Sequence, residues 1–460
     1  MNILLIQPAF KKTEKAYPLG ISQLGAVLKS KGHKVFATDL SFTELEELKN
    51  IITNERIDIV SISATCYGIS LIAYSLTNTI PVAREIKRLF SLPIVINGPY
   101  AEAFKEDLLN EYRDCFDYLI AGGSEYVFPS LIEAIKGRVS FDSVKNLIYY
   151  SENKIISNDI YSFGDSFDNL PFSDRELFSL EKYQGMFTKK KKYTQIITSR
   201  GCNRRCSYCP EPEFCNNWSG RSVENVIEEI RIISNKYGIE EFHIEDPNFF
   251  GGGTDRVKDF CQKLKESEIE VAWQCPNGIP PQDIGDLTVF SDMAKAGCYS
   301  ICLSVESFDK NLQKSMAKFC DSELLKKIVA VARREGIEVT GYFMIGLPGQ
   351  GLNSLKADMK LSRKIGFDFI NYTIFHPFPG SLWYHQYANG ININEIFKSD
   401  NLVSEIGIKA LKQLHTKAYL LNSFKLRTFI FAVKSFLQVK LPLRFLRRVI
   451  NCVFDWDLKY

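Results

Sequence analysis

Three cysteines of this 460-residue chain crowd into one segment, Ser199-Arg200-Gly201-Cys202-Asn203-Arg204-Arg205-Cys206-Ser207-Tyr208-Cys209-Pro210. Their spacing is C-x3-C-x2-C. Thiolates so placed on one short loop can wrap three corners of a four-iron, four-sulfur cubane and leave the fourth iron without a protein ligand. An iron left open in this way can bind a substrate. Arg200, Arg204 and Arg205 would favour the thiolate forms and offset cluster charge. The competing chemistry is structural zinc, nearly always four-coordinate, with Cys215 as the nearest fourth ligand. Of the chain's 12 cysteines, those at 261, 275, 298, 302, 320 and 452 read as core thiols, and no spacing among them repeats the first loop.

The loop follows a strand pattern at residues 194–198, the first of six, with the others at 241–244, 270–274, 300–304, 338–344 and 369–375. Helical patterns lie between them, such as 222–237, where Ser222 can cap the amino end and Glu224, Glu228 and Glu229 favour the first turns. The spacing suits a barrel-like α/β domain, whose active sites lie at the carboxyl ends of the strands. Upstream, strand patterns at 3–7, 34–38, 59–63, 94–97 and 118–121 alternate with helical ones, among them 19–31 closed by Gly32. This alternation predicts an α/β class with a doubly wound parallel sheet. Its strands end in Gln7-Pro8, Ala64-Thr65-Cys66, Gly98-Pro99-Tyr100 and Gly122-Gly123-Ser124-Glu125, where such sheets hold ligands. The expected organisation is a first domain over 1–140, a connector over 141–190, a core over 191–385 and a helical basic region over 386–460. The run Lys189 to Lys192 reads as a solvated end of the connector.

Apolar residues make up 45 % of the chain and charged residues 24 %, with mean hydropathy −0.11, an ordinary globular composition that excludes disordered and fibrous classes. The longest charge-free stretch, 59–83, carries Ser, Thr, Asn and Pro throughout and so lacks the ~20 apolar residues that span a bilayer. The amino terminus has no basic start or long apolar segment, so no secretory signal is expected and the cytoplasm is the expected location. Net charge is +3, and nothing global argues for nucleic acid. Residues 401–460 hold eleven Lys and Arg against three acids, a local +8.

The cysteine spacing, its place after a strand and Tyr208 before the third cysteine resemble the radical S-adenosylmethionine enzymes. With the first domain and the strings Tyr17-Pro18-Leu19-Gly20, Gly98-Pro99-Tyr100 and Gly122-Gly123-Ser124-Glu125, the chain resembles the cobalamin-binding branch over residues 1 to 400. The resemblance implies a cobalamin-binding sheet, then a partial (β/α)6 barrel, then a helical tail. It implies a 4Fe-4S cluster on Cys202, Cys206 and Cys209, and S-adenosylmethionine contacts from Tyr208, Asp246 (Glu245 as the fallback), Ser304, Glu306, Met344 and Gly346. Taken singly, Asp246 and Glu306 also read as capping or ion-paired acids and Met344 as core. Cobalamin would lie against Gln7, Pro8, Thr65, Gly98, Pro99, Tyr100, Gly122, Gly123, Ser124 and Glu125. The motif Asp-x-His-x-x-Gly is absent and His33 reads as a turn residue, which implies cobalt without a histidine below it. Gln7, Thr65 and Cys66 are near enough in topology to matter there.

The implied activity is a methyltransferase acting on an unactivated carbon. The reduced cluster cleaves S-adenosylmethionine to a 5′-deoxyadenosyl radical, the radical abstracts hydrogen, and methylcobalamin supplies the methyl group. Ring formation or oxidation without methyl transfer, as in an anaerobic cyclase, is the alternative. A methylthiotransferase would need three more cysteines upstream, where only Cys66 and Cys115 stand. A non-catalytic cobalamin or iron–sulfur module would normally give its cluster four protein ligands. Implied partners are a small-molecule, lipid or peptide substrate and a flavodoxin or ferredoxin as electron donor. The basic tail, with Phe429, Phe431, Phe436, Leu437, Leu441 and Leu446 among Lys and Arg, reads as a membrane-surface segment, a cover for the substrate cavity, or a plain surface helix interrupted at Pro442.

Overall fold

The computed structural model describes residues 1–9, 16–64, 69–161, 167–183, 185, 188–215, 217–388 and 403–423. Two compact units emerge, residues 1–184 with 378–397, and residues 185–377 with 398–460.

The first unit contains β1 (Asn2–Gln7), α1 (Leu19–Ser30), β2 (Lys34–Asp39), α2 (Leu45–Asn54), β3 (Ile59–Ser63), α3 (Ile69–Phe90), β4 (Ile94–Asn97), α4 (Pro99–Glu111), β5 (Tyr118–Ile120), α5 (Ser124–Ile135), β6 (Leu147–Ser151) and β7 (Lys154–Ser157). Strands β1 to β5 are parallel in the order β2-β1-β3-β4-β5. Near-continuous apolar runs such as Ile3 to Ile6 and Ile94 to Ile96 are buried, as a parallel sheet covered on both faces requires. The order changes direction between β1 and β3, the switch point at whose carboxyl side ligands bind in open α/β sheets.

The stretch 141–190 is more than a connector. Within it, β6 pairs antiparallel with β5 and β7 with β6, adding two strands to the sheet. Leu147 and Ile148 are fully buried there, and the turn residues Glu152 and Asn153 both have positive φ, 48° and 64°, the twist a two-residue hairpin needs. Farther on, Tyr17 Oη donates to Asp174 O (3.1 Å), Lys29 bonds Asp174 (2.6 Å) and Tyr183 Oη donates to Asp39 (3.0 Å). The first unit therefore continues to residue 184. Phe378 and Tyr384 also pack on its core, the latter edge-on to Phe104, so the boundary expected at 385 falls inside a segment of this unit.

The second unit holds β8 (Tyr193–Ile196), β9 (Ser199–Arg200), α6 (Glu211–Phe214), β10 (Ser219–Gly220), α7 (Val223–Tyr237), β11 (Glu241–Ile244), α8 (Thr254–Glu266), β12 (Ala272–Ile279), α9 (Val289–Lys295), β13 (Cys298–Glu306), α10 (Lys310–Ser315), α11 (Ser322–Arg334), β14 (Glu338–Ile345), α12 (Leu352–Ile365) and β15 (Phe369–Ile374). The parallel order β8-β11-β12-β13-β14-β15 follows the chain and leaves its two end strands unpaired with each other, a partial (β/α)6 barrel. Strand β12 starts later and runs further than its sequence pattern, through a register break between Cys275 and Gly278 that accommodates Pro276. Helix α7 begins where Ser222 Oγ accepts from Asn225 N (3.3 Å) and ends at left-handed Gly238. After α13 (Leu382–Tyr387), α14 (Ile408–Ser423) lies against β15, with Leu411 buried and His415 Nε2 bonded to Tyr372 O (2.9 Å). The basic tail, residues 424–460, lies outside the described residues, as do Thr65 and Cys66.

Candidate active site

The cysteine loop leaves and returns at one fixed base, because Ser199 and Arg200 pair antiparallel with Gly220 and Ser219. Asp246, just past β11, secures that base. Its carboxylate accepts from Thr198 N (2.6 Å), Thr198 Oγ1 (2.5 Å) and Ser199 Oγ (2.6 Å). Burial pushes the Asp246 pKa up, against the pull of those bonds. Both Asp246 oxygens thus serve the entry to the cysteine loop. Glu245, half-buried beside it, accepts from Gln195 Nε2 (3.2 Å). Arg221 adds a second brace, donating through its guanidinium to Ile197 O (3.0 Å) and to buried Glu229.

Trp218 clamps the loop from the other side. Its Nε1 donates to Asn248 O (3.0 Å), and a Cβ placed on Gly251 or Gly252 would fall 2.2 or 2.5 Å from the indole. Only glycine lets the segment after β11 lie so close. Asn203 Nδ2 completes the clamp by donating to Gly251 O (2.7 Å).

Cys206 is buried, and Cys202 and Cys209 are half-buried. Burial pushes all three thiols up, Cys209 to about 12, so loading a metal there displaces protons. Arg204 N donates to Cys202 Sγ (3.4 Å), while the Arg204 guanidinium is paired with Asp283. Among the described residues, no three His, Cys, Asp or Glu side chains converge as a single-ion site. Three thiols on one loop, with no fourth protein donor in the loop's spacing, fit a cluster held at three corners.

Tyr208, between Cys206 and Cys209, reaches the end of β13. Its Oη donates to Glu306 Oε1 (3.1 Å), and Lys318 Nζ donates to both Glu306 Oε1 (2.8 Å) and Tyr208 Oη (3.0 Å). Glu306 holds φ +66°, a left-handed backbone that only packing around it can sustain. Two residues back, Ser304 is buried and its Oγ has no hydrogen-bond partner among the described residues, an open polar position on a barrel strand where a bound cofactor can supply the bond. Met344 shares the half-buried face of β14 with Tyr342, and Gly346 N donates to Gln350 Oε1 (2.7 Å). Gln350 in turn contacts Asp358, which accepts from Ser307 Oγ (2.6 Å) and Phe308 N (2.7 Å). The ends of β13 and β14 are thereby tied together through α12.

Burial pushes Asp358 up to about 6 from 3.8, against the bonds from Ser307 and Phe308. A raised carboxyl contributes stability that is present below 3.8 and is lost as pH rises through about 6. At 1.36 kcal/mol per pH unit, that loss is about 1.4 kcal/mol between pH 5 and 7.5. Denaturant unfolding of the cofactor-free protein is expected to show this loss in the wild type and not in Asp358→Asn. Equal pH dependence of the two proteins would contradict the assignment.

In the first unit, Gln7 closes β1 with its side chain buried and its Nε2 without a partner among the described residues. Pro8 follows, half-buried. Gly98 (φ +96°) precedes α4 with Pro99 as its first residue, and a Cβ on Gly98 would crowd Ala64 O at 3.1 Å. Gly122 (φ +101°) and Gly123 (φ +62°) precede α5, placing Ser124 and Glu125 in its first turn. Asn146, unremarked in the sequence, organises that loop by donating to Gly122 O (3.2 Å) and Tyr161 O (2.9 Å). Tyr100 packs instead into the core against Phe104. His33 sits at the opposite, amino end of the sheet, 3.4 Å from the terminal amine. The buried Gln7 amide at the switch point and the glycine turns that follow β4 and β5 suit a ligand rich in carboxamides, as a corrinoid is.

Two family models match the chain, the Radical SAM superfamily over residues 196–362 and the B12 binding domain over residues 11–132. The chain thus carries a B12 binding domain ahead of a Radical SAM domain. Among proteins similar to it, an uncharacterized methyltransferase of Pyrococcus horikoshii is 25 % identical, covering 91 % of this chain and 93 % of its own. The cytidylyl-2-hydroxyethylphosphonate methyltransferase of Streptomyces wedmorensis is 24 % identical, covering 79 % and 76 %. The fold is similar to that of the radical S-adenosylmethionine methyltransferase TsrM from Kitasatospora setae, with TM-score 0.69, 17 % identity, and 84 % and 77 % of the two chains covered. The TsrM chain was solved with cobalamin and a 4Fe-4S cluster bound. No helix among the described residues is long and apolar enough to cross a membrane.

Proposed function

We propose that this enzyme is a cobalamin-dependent methyltransferase acting on an unactivated carbon of a small-molecule substrate. The observation that carries the reading is the joining, in one chain, of a three-thiol loop at the mouth of a partial barrel to a sheet with an open polar switch point. Bound together, the cofactors supply a one-electron cleavage of S-adenosylmethionine, a hydrogen-abstracting radical and a transferable methyl group. The chain's own residues position them. Cys202, Cys206 and Cys209 hold the cluster, on a loop fixed by Asp246, Arg221 and Trp218. Ser304, Glu306, Met344 and Gly346 face S-adenosylmethionine, and Gln7, Pro8, Gly98, Pro99, Gly122, Gly123, Ser124 and Glu125 face cobalamin. His33 stands at the far end of the sheet, away from these proposed cobalamin contacts.

Methyl transfer is preferred to ring formation because both relatives described above are methyltransferases by name. A flavodoxin or ferredoxin is the proposed source of electrons. The test is anaerobic incubation of the loaded enzyme with reductant and S-adenosylmethionine labelled on its methyl group. Both S-adenosylhomocysteine and 5′-deoxyadenosine are expected, with the label appearing on cobalamin. 5′-Deoxyadenosine with no S-adenosylhomocysteine would favour the ring-forming reading.

A further inference from the structure

Lys318 lies a hundred residues beyond the cysteine loop, yet it is among the most buried charged side chains of the second unit. Its ammonium closes a triangle with Glu306 and Tyr208, at 2.8 and 3.0 Å, with 3.1 Å between the other two. The backbone holds this triangle against the loop. Ser207 N donates to Met316 O (3.0 Å) and Ser207 Oγ to Ser315 O (2.9 Å), so the turn after α10 is stitched to the residue between Cys206 and Tyr208. Lys318 N itself is anchored to Gln313 O (3.0 Å), and the Gln313 amide donates to Ser307 O and Cys320 O (both 3.0 Å). Such anchoring gives a lysine little freedom to swing away.

Burial removes the water that would screen this charge. Burial works against the ammonium, but the Glu306 carboxylate 2.8 Å away holds the Lys318 pKa above its ordinary value. Both members of the pair reach the cysteine loop through Tyr208 Oη, at 3.0 Å from the ammonium and 3.1 Å from the carboxylate.

We propose that Lys318 is a positioning residue that sets the reduction potential of the cluster, its buried ammonium favouring the reduced state and Glu306 opposing it. The inference rests on the cluster assignment to Cys202, Cys206 and Cys209. In the step concerned the cluster gains one electron from an external one-electron reductant, and no bond is made or broken. Three thiolates already give the cluster an excess of negative charge, so the added electron is stabilised by a nearby cation and destabilised by a nearby anion. Hydrogen bonding and charge near the sulfurs are among the general controls on cluster potential.

The experiment is a redox titration of the reconstituted full-length enzyme with dithionite as reductant. It is followed by electron paramagnetic resonance without S-adenosylmethionine, and iron per chain is measured first. Lys318→Met is expected to lower the midpoint potential, Glu306→Gln to raise it, and Lys318→Arg to leave it at the wild-type value. A solely structural role for the triangle would move the first two in the same direction or leave both unchanged, and either result overturns the proposal. Should Lys318→Met lose its iron, the Glu306→Gln shift decides alone, since an unchanged or lowered potential there contradicts the electrostatic account. Failure of the wild type to bind iron would instead overturn the cluster assignment.

Discussion

Replacing Cys202, Cys206 or Cys209 singly by alanine is expected to strip the iron from the reconstituted enzyme, from about four per chain to none. Cleavage of S-adenosylmethionine should fall with it to the level of the cofactor-free protein. Each thiol holds one corner of a cluster that has no fourth protein ligand in the loop, so no neighbour can take over. Cys215→Ser is the informative control. Cys215 closes the one-turn helix α6 through its backbone, with its N donating to Glu211 O (2.8 Å), and its thiol is assigned no ligand role. Full iron content in that variant is predicted, whereas loss of metal would restore Cys215 as a ligand and revive a four-thiolate site. Cobalt content should be unchanged in all four variants, because the proposed cobalamin contacts belong to the first unit.

Gly201→Ala should be almost as damaging without touching a ligand. Gly201 holds φ +71°, and a Cβ there would lie 2.1 Å from Asn217 O and 3.1 Å from the Cys215 Cβ. The β9–β10 ladder on one side and the Trp218 clamp on the other leave the Asn217 carbonyl nowhere to retreat. Left-handed backbone costs a non-glycine residue about 1–2 kcal/mol, and crowding against backbone adds a similar amount, about 3 kcal/mol together. For a unit of this size the thermal midpoint should fall by roughly 6–12 °C. If the loop yields instead, Cys202 moves and iron content drops. Wild-type melting together with wild-type iron would show that the loop is not held as described.

The sequence was most informative where chemistry and periodicity coincide. The cysteine spacing stands in one short string, and the parallel strands announce themselves as β-branched runs because both faces of each are covered. Strand β6 and strand β7 were harder to read, since each is only four or five residues long and their turn is Glu152-Asn153, not one of the glycine-bearing pairs that mark a hairpin. A run of Leu-Ile-Tyr-Tyr followed after three residues by Lys-Ile-Ile was the available signal. Asp246 was visible as an acid at a strand end, but its hydroxyl partners on Thr198 and Ser199 come from a neighbouring strand nearly fifty residues away. Lys318 was invisible for the same reason in stronger form. Only the stitching of the α10 turn to Ser207 brings it beside Tyr208. Trp218 carried a faint signal in the run Gly251-Gly252-Gly253, which marks a close approach without saying to what.

The account stands on two cofactor sites in one chain, and metal analysis tests that most directly. Protein purified without oxygen and reconstituted with iron, sulfide and cobalamin should carry about four irons and one cobalt per chain, and should release 5′-deoxyadenosine when given S-adenosylmethionine and reductant. Iron without cobalt would remove cobalamin from the chemistry. Zinc in place of iron, with no cleavage of S-adenosylmethionine, would contradict the account at its centre and leave the cysteine loop as a structural element.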